Sequence, residues 1–149
     1  PRELAFGDIE ALGPIPEFID GPPEENWSPG RAITIEIPAT SQKYPVFYHG
    51  GPKFNIGSGQ DVKIHAKFQD PSGLGPAIIE LAYGVGTVIL SSVHLEMRAD
   101  NLRAMSYTVL DADFKASPND LEMLDKSEAQ LNNLGRLILD RLYSTNVSI

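Results

Sequence analysis

The sequence contains no cysteine. Without thiols, the chain cannot form a disulfide, bind a metal through thiolates or supply a cysteine nucleophile from its own residues. Secreted domains held together by disulfides are therefore excluded. A reducing, cytoplasmic compartment fits this composition best.

Long apolar runs and an excess of basic residues are also missing. No stretch approaches the roughly 20 apolar residues of a membrane-spanning helix, and the charged, proline-interrupted start does not resemble a signal peptide. There are 12 Lys and Arg residues against 20 Asp and Glu, which gives a formal net charge of −8. This charge repels phosphate backbones and anionic lipid, so we expect neither nucleic acid nor a membrane as a partner.

What remains is the composition of an ordinary globular chain. Its 149 residues are 42% hydrophobic, enough for one domain or domain segment with a packed core. Prolines and glycines make residues 1–30 irregular and rich in loops, residues 31–93 are rich in strand patterns, and residues 94–149 are mainly helical. The first residue is Pro1, which is consistent with a processed product or an excerpt of a longer chain.

Five segments carry strand patterns. They are residues 31–37, 44–48, 61–68, 77–83 and 86–92. The first alternates isoleucine with polar residues, and the last two are apolar runs with a tight glycine-containing connection between them. In the third segment, the same alternation places His65 on the solvent face with the lysines.

Helical patterns follow. A short helix is predicted over residues 100–105, and Ser117 followed by Pro118 predicts the start of another. Leucines from Leu121 to Leu142 then recur at the helical period. Continuous apolar strands suggest a sheet covered on both faces, so we predict an α/β layer arrangement with helices at the C-terminal end.

His94 and Glu96 stand two positions apart where the last apolar strand ends. In an extended chain, residues i and i+2 share one side, so Glu96 can orient the imidazole of His94. A histidine held by a carboxylate is a general base near neutral pH. The spacing is common by chance, however, and on composition alone a structural role is favoured about three to one.

The segment from Gly84 to Glu96 reads G-x-G-x-x-x-L-S-x-x-H-x-E. It resembles the closing segment of class I glutamine amidotransferase-like domains, in particular the version at the amino terminus of eukaryotic biotin-protein ligases. RELAF at residues 2–6, VFYHGGPKF at 46–54 and LDKSEAQLNNLGRLIL at 124–139 are similar to other segments of that family in the same order. The resemblance covers most of the chain, and His-x-Glu is its most specific part.

This resemblance implies part of a flavodoxin-like, layered α/β sheet with parallel strands. In the catalytic members, a cysteine is the nucleophile and the His-x-Glu pair completes the triad, so His94 would be the base and Glu96 its orienter. Here the nucleophile is absent, which makes the pair vestigial. The resemblance also implies that biotin attachment to carboxylases belongs to a different domain of the whole protein.

The other candidate sites also have purely structural explanations. Ser91 and Ser92 lie on the strand of His94 itself, so we expect them to end the strand rather than act as nucleophiles. Gly50 and Gly51 could present backbone N–H groups to an anionic ligand, although a turn requiring positive φ is favoured about four to one. We expect no metal site, because nothing places a third ligand beside His94.

Three functions stay open. The first is an accessory or regulatory segment of a biotin-protein ligase, without cofactor or catalysis of its own, whose partners are the rest of the ligase, a second copy or a carboxylase substrate. The second is a cysteine-dependent amidase or amidotransferase whose nucleophile lies upstream of Pro1. The third is a module that binds a small ligand.

Overall fold

The computed structural model describes residues 4–6, 8–18, 30–69, 73–108 and 116–144. It contains eight strands, one 3-10 turn and three α-helices. They are β1 (Leu4–Phe6), β2 (Ile9–Leu12), the turn Pro16–Phe18, β3 (Arg31–Ile37), β4 (Gln42–Tyr48), β5 (Lys53–Ile56), β6 (Lys63–Phe68), β7 (Pro76–Tyr83), β8 (Gly86–Ser91), α1 (Ala99–Thr108), α2 (Pro118–Asp125) and α3 (Glu128–Ser144).

The strands form two sheets, one of five strands in the order β4-β3-β6-β7-β8 and one of three in the order β1-β2-β5. The predicted α/β class is confirmed. Each strand pair within the described residues is antiparallel, whereas the resemblance implied parallel strands. The connections explain the difference, because Tyr83 pairs with Gly86 across a two-residue turn, and a parallel crossover needs a dozen residues or more.

The five-stranded sheet is covered on both faces. On one face it packs against all three helices, in a core that includes Ile35, Ile78, Leu102, Leu124 and Leu131. On the other face, residues of β7 contact Ile9 and Phe54 of the small sheet. Strand β7 therefore lies between two apolar cores, which is why its sequence is an almost continuous apolar run.

The start of α2 confirms the helix predicted at Ser117 and Pro118. The Ser117 hydroxyl accepts a hydrogen bond from the Asp120 backbone N–H, and the Asp120 carboxylate accepts one from the Ser117 N–H. This reciprocal capping box satisfies two backbone donors that a helix start leaves without partners. The same carboxylate accepts from the Ala32 N–H at 2.8 Å, which fixes α2 against β3.

The prediction that His65 faces solvent is wrong. Its side chain is 16% exposed and lies beside a buried carboxylate. The pairing of β6 with β7 shifts register between Ile64 and Ala66, which leaves His65 as the extra residue of a β-bulge. Because of the bulge, the alternating apolar residues of β6 do not all face the same core. Ile64 packs towards the small sheet, whereas Ala66 packs towards the helices. A bulge adds one residue to the strand, so a strict two-residue alternation assigns the residues after it to the wrong face of the sheet.

The irregular segment predicted over residues 1–30 contains two short strands, β1 and β2, that its prolines and glycines did not predict. Residues 19–29 lie outside the described part of the chain. Among the helices that the structure describes, none combines the length and hydropathy needed to cross a membrane.

Candidate functional site

His94 lies just beyond the end of β8, on the face of the molecule where β4 also ends. Its backbone N–H donates to the Phe47 carbonyl at 2.8 Å, forming an isolated antiparallel bridge with β4. The preceding Ser92 N–H donates to the Ala77 carbonyl of β7 at 2.9 Å. The backbone around His94 is therefore anchored to two strands, and these hydrogen bonds fix the position of the His94 Cα atom.

The predicted pairing of His94 with Glu96 is present. His94 Nδ1 lies 2.7 Å from Glu96 Oε1. The imidazole is 35% exposed and the carboxylate 70% exposed, so the ring is neither sealed in the core nor fully solvated. Partial burial by itself raises the pKa of Glu96, but the hydrogen bond from His94 and its charge outweigh this and hold the pKa below its usual value.

The direction of this hydrogen bond determines what the ring can do. An ionised carboxylate only accepts, so the Nδ1–H of His94 donates to Glu96. In the neutral ring, this leaves Nε2 as the nitrogen that takes up a proton. The geometry is that of a general base oriented by a carboxylate.

Neither neighbouring serine is a nucleophile aimed at this base. The Ser91 hydroxyl donates to the Val93 carbonyl at 2.7 Å, as expected for a serine that ends a strand. Ser92 is 2% exposed, and its hydroxyl donates to the Pro52 carbonyl of the neighbouring turn. Both hydroxyl protons are thus engaged by backbone oxygens.

Gly50 and Gly51 form the turn that follows β4. Gly50 has φ of 67°, in the left-handed region that favours glycine. A Cβ on Gly51 would lie 1.9 Å from the Ser92 carbonyl oxygen, so only glycine fits there. The turn requires both residues, and it brings Gly51 against a residue two positions before His94. Ligand binding by their N–H groups stays a prediction.

A groove of about 580 Å³ opens beside the pair. Glu96 lines it together with Leu95 and Arg98, while α3 forms the opposite wall with Asn132, Gly135, Arg136, Ile138, Leu139 and Asp140. His94 is not among the lining residues, but it contacts the lining residue Glu96. The base therefore lies next to a concave surface without opening directly into it.

A second histidine–carboxylate pair was missed in the sequence. His65 Nε2 lies 2.7 Å from Glu80 Oε2 on the adjacent strand, and Glu80 is 7% exposed. Arg141 of α3 donates to the same carboxylate, with Nη2 at 3.0 Å and Nε at 3.1 Å from Oε1. Lys63 Nζ lies 3.9 Å from Oε2. The available signal was the one charged residue inside the apolar run of β7.

The charges around Glu80 keep its carboxyl ionised. Burial by itself raises its pKa, but hydrogen bonds from Arg141 and His65 and the charge of Lys63 hold it below the usual value. Within the part of the chain that the structure describes, no three His, Asp or Glu side chains converge as a metal-binding group. The contacts of Glu80 with His65 on the sheet and Arg141 on α3 form an ionic tie between these two elements.

Comparison with known protein families identifies a match. The family model described as "Biotin-protein ligase, N terminal" matches residues 28–144, a range that includes His94, Glu96, Gly50 and Gly51. No curated protein and no solved structure matches this chain.

Proposed function

The chain belongs to the biotin-protein ligase N-terminal family, and on this basis we propose that it serves such a ligase as an accessory, regulatory segment without catalysis of its own. Its fold would be related to that of class I glutamine amidotransferase-like domains. Attachment of biotin to carboxylases would be the work of the whole protein, in the cytoplasm, through a separate catalytic domain.

One observation carries the proposal. His94 and Glu96 are arranged as a base with its orienting carboxylate, yet the chain contains no thiol for that base to activate. Both nearby serine hydroxyls donate to backbone carbonyls. Acyl transfer requires a nucleophile within reach of the base. A retained base without a nucleophile supports a binding or regulatory role for this surface.

Two assays of the 149-residue chain test the absence of catalysis. We expect no ammonia release from glutamine, and no pyrophosphate release from biotin and ATP, above a protein-free blank. Ammonia release that disappears in His94→Gln would overturn the proposal, because it would make His94 a working base in this chain alone.

The accessory role is tested in the ligase that carries this segment. Formation of biotinyl-adenylate and transfer of biotin to a carboxylase acceptor should be measured separately for Glu96→Gln. We expect adenylate formation to be unchanged and the KM for the acceptor to change. Glu122→Gln is the matched control, since its side chain is 66% exposed and also forms an ion pair. Identical kinetics for both variants and the wild type would contradict a regulatory role at this surface.

A second candidate is a cysteine-dependent amidase or amidotransferase whose nucleophile comes from outside these 149 residues. The exposed imidazole with Nε2 directed away from Glu96 favours it, because that nitrogen is positioned to accept a proton from an incoming thiol. A reactive glutamine analogue distinguishes the candidates. Labelling of a cysteine in the whole ligase that is lost in His94→Gln would support the amidase, and unchanged labelling would exclude it.

A further inference from the structure

Arg98 contains a buried polar atom without a partner. Its Nη1 is shielded from solvent, and no hydrogen-bond partner for it is found among the residues that the structure describes. A buried donor without an acceptor is costly, and it is worse for a charged group, so buried guanidinium nitrogens are normally paired. The Arg98 backbone is fixed where it precedes α1, because its carbonyl accepts from the Leu102 N–H at 3.0 Å. This hydrogen bond fixes the start of the Arg98 side chain beside the groove.

Arg98 lines the groove beside Glu96, and the other charged side chains there are paired. Glu96 accepts from His94 at 2.7 Å, and Arg136 Nε lies 3.8 Å from Asp140 Oδ2 one turn along α3. The charge of Arg98 also helps to lower the pKa of Glu96, but within the described residues its Nη1 has no hydrogen-bond acceptor. A ligand that brings one acceptor would complete the set.

Three apolar side chains also line the groove. Leu95 and Ile138 line the groove, and Leu139 remains 54% exposed beside them, which leaves its apolar surface open to a ligand. Gly135 stands in the same wall in the middle of α3, and a Cβ there would meet no atom within 4 Å. Glycine inside a helix costs about 1 kcal/mol relative to alanine, and here it keeps this wall of the groove open.

We infer that this groove binds a small molecule with one carboxylate on an apolar body, with the carboxylate on the Arg98 guanidinium and the body against Leu95, Ile138 and Leu139. The volume of about 580 Å³ lies within the usual range of ligand pockets. Because Nη1 is buried, a rotation of the last side-chain torsions brings it to the ligand.

The local charges favour a carboxylate over a phosphate. A guanidinium accepts either anion, but Glu96 and Asp140 line the same groove and the chain carries a net charge of −8. A dianion meets stronger repulsion from this surface than a singly charged carboxylate does. If the groove recognised phosphate through charge alone, its apolar side chains Leu95, Ile138 and Leu139 would have no role in binding.

Octanoate and octanamide are matched probes, since they differ in the charged head and share the tail. Calorimetric titration of the 149-residue chain should give saturable octanoate binding, with octanamide weaker by about tenfold or more because a charge-assisted, bidentate hydrogen bond is lost. Equal affinities, or no saturable octanoate binding, would overturn the inference.

Two arginine variants then locate the head group. Arg98→Met should weaken octanoate binding about tenfold or more, whereas Arg136→Met removes the same charge from the same groove and should change it less than about threefold. Equal losses in both variants would mean that general electrostatics, rather than the Arg98 guanidinium, holds the anion.

Gly135 variants test the groove without altering Arg98. Gly135→Leu fills the groove and should abolish octanoate binding, while Gly135→Ala, which adds only one methyl group, should retain it. Binding that survives Gly135→Leu would place the ligand elsewhere. Circular dichroism establishes that each variant is folded, so a failure of Arg98→Met to fold leaves the Gly135 pair decisive. No ligase assay is involved, and the result is independent of the proposed accessory role.

Discussion

In the described part of the chain, His94–Glu96 and His65–Glu80 are histidine–carboxylate pairs with the same 2.7 Å separation and different surroundings. His94 and Glu96 are two residues apart in sequence, at the end of β8, and the carboxylate is 70% exposed. His65 and Glu80 come from neighbouring strands, and the carboxylate is 8% exposed between the sheet and α3. The same two side chains form a surface pair in one place and a structural tie in the other.

The difference follows from what else each carboxylate contacts. Glu80 accepts hydrogen bonds from His65 and from Arg141 of α3, so its loss removes an acceptor that both donors share in a largely buried position. For Glu96, the described side chains supply one donor, His94, and water replaces that partner readily because the carboxylate is exposed. Burial, rather than the length of the hydrogen bond, determines which pair holds the fold together.

The largest effect is expected at Glu80. Glu80→Gln should lower the free energy of unfolding by about 2–3 kcal/mol. The reason is that the charged hydrogen bond to Arg141 is weakened and that Arg141 and Lys63 lose the negative charge of Glu80. Urea unfolding followed by circular dichroism measures it. Glu96→Gln is the matched control, and equal losses in the two variants would erase the contrast between the pairs.

The contribution of Glu80 to the free energy of unfolding should be lost in acid. Its pKa in the folded chain is below the usual value, so the unfolded chain binds the proton more readily and stability falls as the pH falls. The difference between the wild type and Glu80→Gln should be full above the ordinary pKa of glutamate, about 4.3, and should decrease as the pH falls from there through the lower pKa of the folded chain. Urea unfolding at a series of pH values gives the profile; a difference that stays constant, or grows, as the pH falls below the ordinary pKa would contradict it.

Arg141 should have an intermediate effect. Arg141→Met retains the aliphatic part of the side chain but removes the donors to Glu80, and should destabilise the chain by about 1–2 kcal/mol. Arg136→Met on the same helix should cost less than about 0.5 kcal/mol, since Arg136 is 83% exposed and its carboxylate partner is 3.8 Å away. Thermal or urea unfolding compares the two directly, and similar losses would contradict the ionic tie between α3 and the sheet.

The smallest effect on stability is expected at the exposed pair. Glu96→Gln should change the free energy of unfolding by less than about 0.5 kcal/mol. It should still alter the His94 ring, because the carboxylate selects the tautomer that carries its proton on Nδ1. Imidazole nitrogen chemical shifts measured by NMR at high pH should show an Nδ1–H ring in the wild type and a mixture of tautomers in the variant. An unchanged tautomer would mean that Glu96 does not orient the base.

Local sequence signals predicted much of this structure. The strands at residues 31–37 and 77–83 and the helix that begins at Pro118 are found where alternation, apolar runs and a capping serine indicated them. The His94–Glu96 pair was likewise predicted, since residues i and i+2 of an extended chain share a side wherever the chain is placed. The groove was not predicted, because residues 95–98 and α3 are brought together only by packing.

The amino-acid sequence by itself determined the order and type of most elements, the absence of a thiol, and the local pairing of His94 with Glu96. These depend on residue chemistry and on spacings of a few residues. Only the tertiary structure decided that the strands pair antiparallel, that a bulge turns Ala66 towards the helices, and that Glu80 meets Arg141 across 61 positions of sequence. Such contacts are set by which elements pack together. The degree of burial then gives the two histidine–glutamate pairs different energies and different roles.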